Sequence, residues 1–182
     1  MKRSTFVIVG LLIFAVLAWA GTRWLALRRP PDDVATIEPD SLGTGFKAAR
    51  LFFASADGDG LVSESRELPE SASLRERAAS LVAELDRGPA GGGVAALPPG
   101  TSLLHVYLDD EGLLTVDLSR AFQQGFRGGS SAEYLAVSSL VRTLGANLPD
   151  VRRVLIVCGG SPIPTLGGHL PLDRPFDVPE LP

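Results

Sequence analysis

The sequence predicts an α/β fold, with two helices packed on a small mixed β-sheet and an N-terminal transmembrane helix preceding it. Three observations carry this prediction. Residues 101–118, TSLLHVYLDDEGLLTVDL, alternate apolar and polar positions on either side of an acidic, glycine-containing turn, the pattern of a half-buried hairpin. Residues 73–87 and 130–147 carry apolar residues at helical spacing. Lys2 and Arg3 precede an apolar run, Phe6–Gly21, which has the layout of an export or anchor segment.

The N-terminal run divides two readings. Ala18-Trp19-Ala20 has the small-x-small form of a cleavage site. Trp19 and Trp24 stand where interfacial aromatics belong, and the apolar character resumes at Trp24-Leu25-Ala26-Leu27. Thr5–Leu25 is long enough to span a bilayer with Arg23 snorkelling to the interface. The expectation is an uncleaved anchor over residues 1–29 with the domain on the extracytoplasmic side of the cytoplasmic membrane, and a cleaved signal as the alternative. No cysteine lies near the end of the segment, so it carries no bacterial lipid-attachment site. Residues 30–45 hold three prolines, two glycines and four acids, the composition of a linker.

Lys47–Ala54 is expected to be the first strand and Leu61–Leu68 a returning one, joined by the turn cluster SADGDG. Read as a calcium loop from Ser55, that cluster lacks Asp at its first position and has Arg66 where a bidentate Glu is required. A hairpin turn is the better reading. The first helix runs from Ser73 to Arg87. Its stripe is Leu74, Ala78, Leu81, Val82 and Leu85, Ser73 and Glu76 form a capping box, and Gly88-Pro89 stops it. Residues 88–100 hold five glycines and three prolines and read as a loop; no GK[ST] follows the glycine run, which removes a phosphate-loop reading.

In the central hairpin a three-residue loop, Asp110-Glu111-Gly112, pairs Val106 with Val116 on one face and His105 with Asp117 on the other. The second helix is expected from Ser130 to about Asn147, with Ser130 and Glu133 as a capping box and Tyr134, Val137, Val141, Leu144 and Leu148 as its stripe. Val151–Val157 ends in an apolar run read as a strand buried on both faces. An extended piece is expected near Leu170–Leu172. The folded domain is placed at 46–176, with 177–182 as a loose tail.

Charge separates along the chain. Residues 1–29 hold five basic residues and no acid; the remaining 12 basic and 21 acidic residues leave the rest at −9. An acidic domain is a poor partner for nucleic acid. One cysteine, Cys158, and two histidines, His105 and His169, make no disulfide and no recognisable metal set. No cofactor is expected. Cys158 follows a strand, the position of a nucleophile, and would need His105 or His169 as its base; a buried apolar role is the simpler reading. His105 opposite Asp117 reads as a cross-strand polar pair, and His169 as a residue that orders the C-terminal loop. Ser161 lies outside any nucleophile-elbow motif. The side chains His105, Tyr107, Thr115 and Asp117 share the outer face of the hairpin and form the expected interaction face.

The order of motifs from about Leu51 to Pro175 resembles the sporulation and spore germination domain called GerMN. The resemblance rests on LFFASADGDGLVSESREL, a helix ending ELDRGP, LPPGTSLLHVYLDDEGLLTVDLS, GSSAEYLAVSSLVRTLGANLPDVRRVLIVCGG and the closure LGGHLPLDRPF. It implies a ring-building-motif-like sandwich and a non-catalytic, membrane-anchored module of a cell-envelope assembly, not an enzyme. Envelope proteins or other copies of the chain are the implied partners, with peptidoglycan as an alternative ligand and a Cys-dependent hydrolase as the remaining alternative. The chain has one domain copy where some members have two, lacks a lipid-attachment cysteine, and has Cys158-Gly159-Gly160 where a polar residue and one glycine are usual.

Overall fold

The computed structural model describes residues 45–178. The expected anchor, nearly all of the linker and residues 179–182 lie outside the described residues. Among the described residues no helix is long and apolar enough to cross a membrane.

Two helices pack as expected, but on two sheets rather than one. Strands β1 (Phe46–Ser55) and β2 (Leu61–Pro69) form an antiparallel hairpin, joined on the far edge of β1 by a two-residue strand, β3 (Gly93–Val94). The second sheet has the order β4 (Leu103–Leu108), β5 (Leu113–Leu118), β6 (Arg153–Cys158), β7 (Ser161–Pro162), with β8 (Phe176–Asp177) also on β6. It is mixed: β4 and β5 are antiparallel, whereas β5 and β6 are parallel. The helices are α1 (Leu74–Arg87), the single turn α2 (Ala121–Gln124) and α3 (Ser130–Asn147). A parallel pair needs a long crossover, and the segment carrying α3 supplies it between β5 and β6.

The sheets stay separate because α3 closes the edge of β1 with side chains. Ser139, Thr143 and Asn147 lie at i, i+4 and i+8, so they form one row along the helix. The Ser139 hydroxyl donates to the Phe52 carbonyl at 2.5 Å, and Thr143 Oγ1 accepts from the Phe52 N–H at 3.0 Å. The Asn147 amide accepts from the Arg50 N–H at 2.9 Å and donates to the Arg50 carbonyl at 2.7 Å. A buried strand edge must satisfy these groups, and here a helix does so in place of another strand. Beyond this row β3 takes over, pairing with Ala54 and Ser55. A Cβ on Gly93 would stand 3.1 Å from the Ala54 carbonyl and 3.0 Å from a Val62 methyl, so glycine is what lets this loop segment become a strand.

One apolar core joins both sheets and both helices. It contains Leu51 and Phe53 of β1, Val82 and Leu85 of α1, Leu114, Val116 and Leu118 of β5, and Ile156 of β6. It also takes Val137, Leu140, Val141 and Leu144 of α3, which is buried on most of its circumference. Phe53 and Phe122 are fully buried, each worth about 1.5–3 kcal/mol of transfer free energy.

Ser73 caps α1 as expected, its Oγ accepting from the Glu76 N–H at 3.0 Å. The return arm runs through an intermediary: Ser71 Oγ bonds the Glu76 carboxylate and accepts from the Ser73 N–H at 3.3 Å. The expected capping box of α3 is absent. Gly129 is the N-cap, with no side-chain cap bond, and Glu133 faces the other way. Its carboxylate is fully buried and accepts the N–H groups of Leu166 and Gly167 at 2.8 Å and of His169 at 2.9 Å. Burial by itself would raise the Glu133 carboxyl, but the Gly167, His169 and Leu166 N–H groups outweigh it and hold the group below its usual range.

Three further corrections concern the C-terminal third. In β6 burial alternates, with Val154, Ile156 and Cys158 inside and Arg153, Leu155 and Val157 half-buried, so the strand is covered on one face only. No strand forms near Leu170–Leu172; Leu172 is nonetheless fully buried, its N–H donating to the Pro164 carbonyl at 2.8 Å. The ordered domain also continues past residue 176. Asp177 pairs with Arg153, and the Val178 N–H donates to the Arg152 carbonyl at 3.0 Å.

Candidate interaction face

The hairpin register is the expected one: His105 faces Asp117, Val106 faces Val116 and Tyr107 faces Thr115. Gly112 supplies the turn at φ +83°, and a Cβ there would meet the Asp150 carbonyl at 2.8 Å. The Asp109 carboxylate fastens the turn by accepting from the N–H groups of Glu111 at 2.9 Å and Leu113 at 2.8 Å. A register shift between Leu103 and His105 bends the start of β4, as a β-bulge does.

The four expected face residues come together on the outer side of β4 and β5. His105 and Tyr107 are exposed, Tyr107 at 67%. Thr115 is half-buried, and Asp117 is buried. His105 Nδ1 lies 3.2 Å from Asp117 Oδ2, the predicted cross-strand pair. Asp117 is more than a surface group, because its Oδ1 accepts the Gly160 N–H at 2.9 Å and so fixes the turn between β6 and β7. The face a partner could touch is therefore His105, Tyr107 and Thr115, with Asp117 beneath them.

The parallel register extends this surface onto β6. Thr115 lies beside Leu155 and Asp117 beside Val157. Leu155 and Val157 belong to the face but are missed in the sequence, where the run VLIV looks buried on both sides. The result is a mixed surface: an exposed phenol and imidazole next to half-buried aliphatics. Aromatics are enriched at interface centres, and Arg153 lies on the same face at the start of β6.

The sheet separates the two groups a hydrolase would need. Cys158 pairs in register with Leu118 on the core side, whereas His105 stands with Asp117 on the outer side. The Cys158 thiol donates to the Ser119 carbonyl at 3.2 Å, and burial pushes its pKa up, the opposite of what activates a thiol nucleophile. His169 is engaged elsewhere, with its Nδ1 3.1 Å from the Glu133 carboxylate; its expected role in ordering the C-terminal loop is what the geometry gives. Among the described residues no group of His, Cys, Asp and Glu is arranged to hold a metal ion.

A second polar cluster ties β2 to the end of α1. Arg66 Nε donates to Glu64 at 2.7 Å, Nη1 to Glu84 at 2.7 Å, and Nη2 to the Gly88 carbonyl at 2.6 Å. Its guanidinium also lies 5.4 Å from the centroid of the Phe53 ring. The cluster is structural: it orders the glycine loop, whose Ala90 N–H donates to Glu64 at 2.9 Å.

Residues 50–164 match the model of the Germane family, described as sporulation and spore germination. Solved structures that share the fold include the following three. The tandem GerMN domains of the sporulation protein GerM from Bacillus subtilis align with a TM-score of 0.60 at 20% identity, over 73% of this chain and 46% of that one. The first GerMN domain of the same protein gives 0.58 at 21% identity, over 74% and 99%. A candidate lipoprotein from Clostridium perfringens gives 0.53 at 19% identity, over 78% and 94%. No curated protein matches the chain.

Proposed function

Because the chain belongs to the Germane (GerMN) family, which is linked to sporulation and spore germination, we propose that it is a non-catalytic interaction module. In this reading residues 1–29 anchor it in the cytoplasmic membrane and the domain works on the extracytoplasmic side. Its partners are envelope proteins or further copies of itself.

The observation that carries the reading is the one-sided burial of the second sheet. Its inner face is packed into the core, whereas its outer face presents His105, Tyr107, Thr115, Leu155 and Val157 on a rigid scaffold. Buried aromatic anchors dominate binding energy at protein interfaces, and Tyr107 is the exposed aromatic of this face. The separation of Cys158 from His105 by the sheet supports a role without catalysis.

The test is affinity enrichment of tagged full-length protein from membranes after crosslinking, read by mass spectrometry. The wild-type chain should recover crosslinks to itself or to envelope proteins, and Tyr107→Asp should lose them while keeping its thermal stability. Recovery of only uncrosslinked monomer in the soluble exported fraction would overturn the reading.

A further inference from the structure

Strand β2 ends the first sheet, with β1 on one side and, among the described residues, no strand on the other. Its backbone alternation is fixed at both ends of the hairpin. The Ser55 N–H donates to the Gly60 carbonyl at 2.9 Å, and the Glu70 N–H to the Gly45 carbonyl at 2.8 Å. In an antiparallel ladder alternate residues turn their N–H and C=O groups to opposite sides. The register between those ends is unbroken. Val62, Glu64, Arg66 and Leu68 therefore bond β1, whereas Leu61, Ser63, Ser65 and Glu67 turn their groups outward. The same alternation sends the Arg50 and Phe52 groups of β1 toward α3, where Asn147 and Thr143 meet them. Ser63, Ser65 and Glu67 are exposed, and their outward N–H and C=O groups have no partner among the described residues. A nine-residue edge without a bulge is a template for another strand.

The side chains select which strand fits. Inward-pointing charges commonly guard an edge, and Glu64 and Arg66 are such charges, with side chains 21% and 14% exposed. A foreign apolar strand would have to lie against both. A second copy of β2, laid antiparallel about an axis at Ser65, instead sets Glu64 opposite Arg66 and Arg66 opposite Glu64. It also sets Val62, 39% exposed, opposite Leu68. On the other face Ser65 meets Ser65, and Ser63 meets Glu67. Neighbouring registers are worse. An axis at Glu64, Arg66 or Glu67 puts like charges directly opposite, which destabilises a sheet. An axis at Ser63 puts Glu64 against Val62.

We propose that two copies of this chain join through β2, antiparallel about Ser65, into one sheet continuous across the pair. The outward N–H and C=O groups of Ser63, Ser65 and Glu67 bond their counterparts reciprocally, and the Leu61 N–H donates to the Pro69 carbonyl of the other copy. Each guanidinium keeps its own Glu64 and Glu84 and gains Glu64 of the second copy alongside. The edge belongs to the first sheet, so the pairing is independent of what binds the outer face of β4, β5 and β6.

The test is oxidative crosslinking of the full-length chain in membranes, with cysteine placed along the edge. The paired Ser65 Cα atoms would stand about 5.5 Å apart, within reach of a disulfide. Ser65→Cys should therefore run as a dimer on non-reducing electrophoresis. Ser63→Cys or Glu67→Cys alone would lie about 13 Å from its own counterpart along the seam, and each should stay monomeric. The two variants mixed in one membrane should dimerise, because Ser63 faces Glu67 of the other copy. The wild-type chain should give no dimer, since its Cys158 is buried. Ser65→Lys puts two ammonium groups on the axis, and lysine suits an exposed edge. Added to both members of the mixed pair, it should keep the Tm and cut the dimer about fivefold. No dimer from Ser65→Cys, equal dimer from Ser63→Cys alone, or a mixed dimer untouched by Ser65→Lys would overturn the proposal.

Discussion

The Asn147 side chain pairs with the backbone of Arg50 as a neighbouring strand would, accepting from its N–H at 2.9 Å and donating to its carbonyl at 2.7 Å. With Ser139 and Thr143 on Phe52, it makes α3 the edge partner of β1. That arrangement divides the domain into two sheets around one core.

Asn147→Ala should therefore destabilise the fold by about 1–2 kcal/mol, since it strands a donor and an acceptor at the edge of β1. Thr143→Val, nearly isosteric, should cost a similar amount because its site is buried. Urea denaturation with an unchanged m-value would check both. A cost within error for both would mean that water replaces the helix at this edge.

Much of this domain is legible in its sequence, and the exceptions share a cause. The β4–β5 register follows from the loop length and Gly112, and the stripe of α1 from its spacing, because local patterns decide both. The row Ser139, Thr143 and Asn147 is not legible: small polar residues in a helix normally read as a solvent face, and only the nearby strand edge makes them partners. Glu133 misleads in the same way, since its spacing from Ser130 imitates a capping box while its true partners lie more than thirty residues on. Strands β3, β7 and β8 have two residues each, too few to show a period. In the candidate face His105, Tyr107, Thr115 and Asp117 are readable from alternation, whereas Leu155 and Val157 need the parallel pairing with β5.

Glu133 should be the acid-sensitive latch of the C-terminal loop. Its pKa in the folded state is below the unfolded value, so its contribution is complete above about pH 4.5 and is lost as pH falls through the lower folded value. The Tm of the wild-type chain should fall on acidification in that window, with a smaller fall in Glu133→Gln. At pH 7 the same variant should be about 3 kcal/mol less stable, because it replaces a buried acceptor of several N–H groups with a partial donor. Calorimetry across pH 3–7, about the range of carboxylate titration, checks both. Equal slopes for the two proteins would remove the latch.

Arg66→Ala should cost about 2–4 kcal/mol, leaving the buried carboxylate of Glu84 without its shortest inward partner. Because the Arg66 side chain is only 14% exposed, the loss should persist at 1 M salt, which on the order of a 3 Å Debye length would screen a surface pair. Arg66→Lys should recover only part of it, since an ammonium cannot reach Glu64, Glu84 and the Gly88 carbonyl together. Full rescue by lysine would contradict the fork geometry.

Gly145→Ala should loosen the C-terminal strand. A Cβ at Gly145 would stand 2.1 Å from a methyl of Val178, the residue after β8, too close unless Val178 shifts and takes β8 with it. Alanine favours the helix by about 1 kcal/mol, so the net change in stability should be small. The separation from β6 should appear as faster amide exchange at Val154 and Val178, read by hydrogen-exchange mass spectrometry. Unchanged exchange there would mean that Val178 moves aside without strain.

The most direct test of the interaction-module account is site-specific photocrosslinking in intact membranes. A photoreactive residue is placed at Tyr107 in one full-length protein and at Arg75, exposed on α1, in another. The account predicts discrete adducts from position 107 and none from position 75. Adducts from position 75 alone, or none from either position, would contradict it.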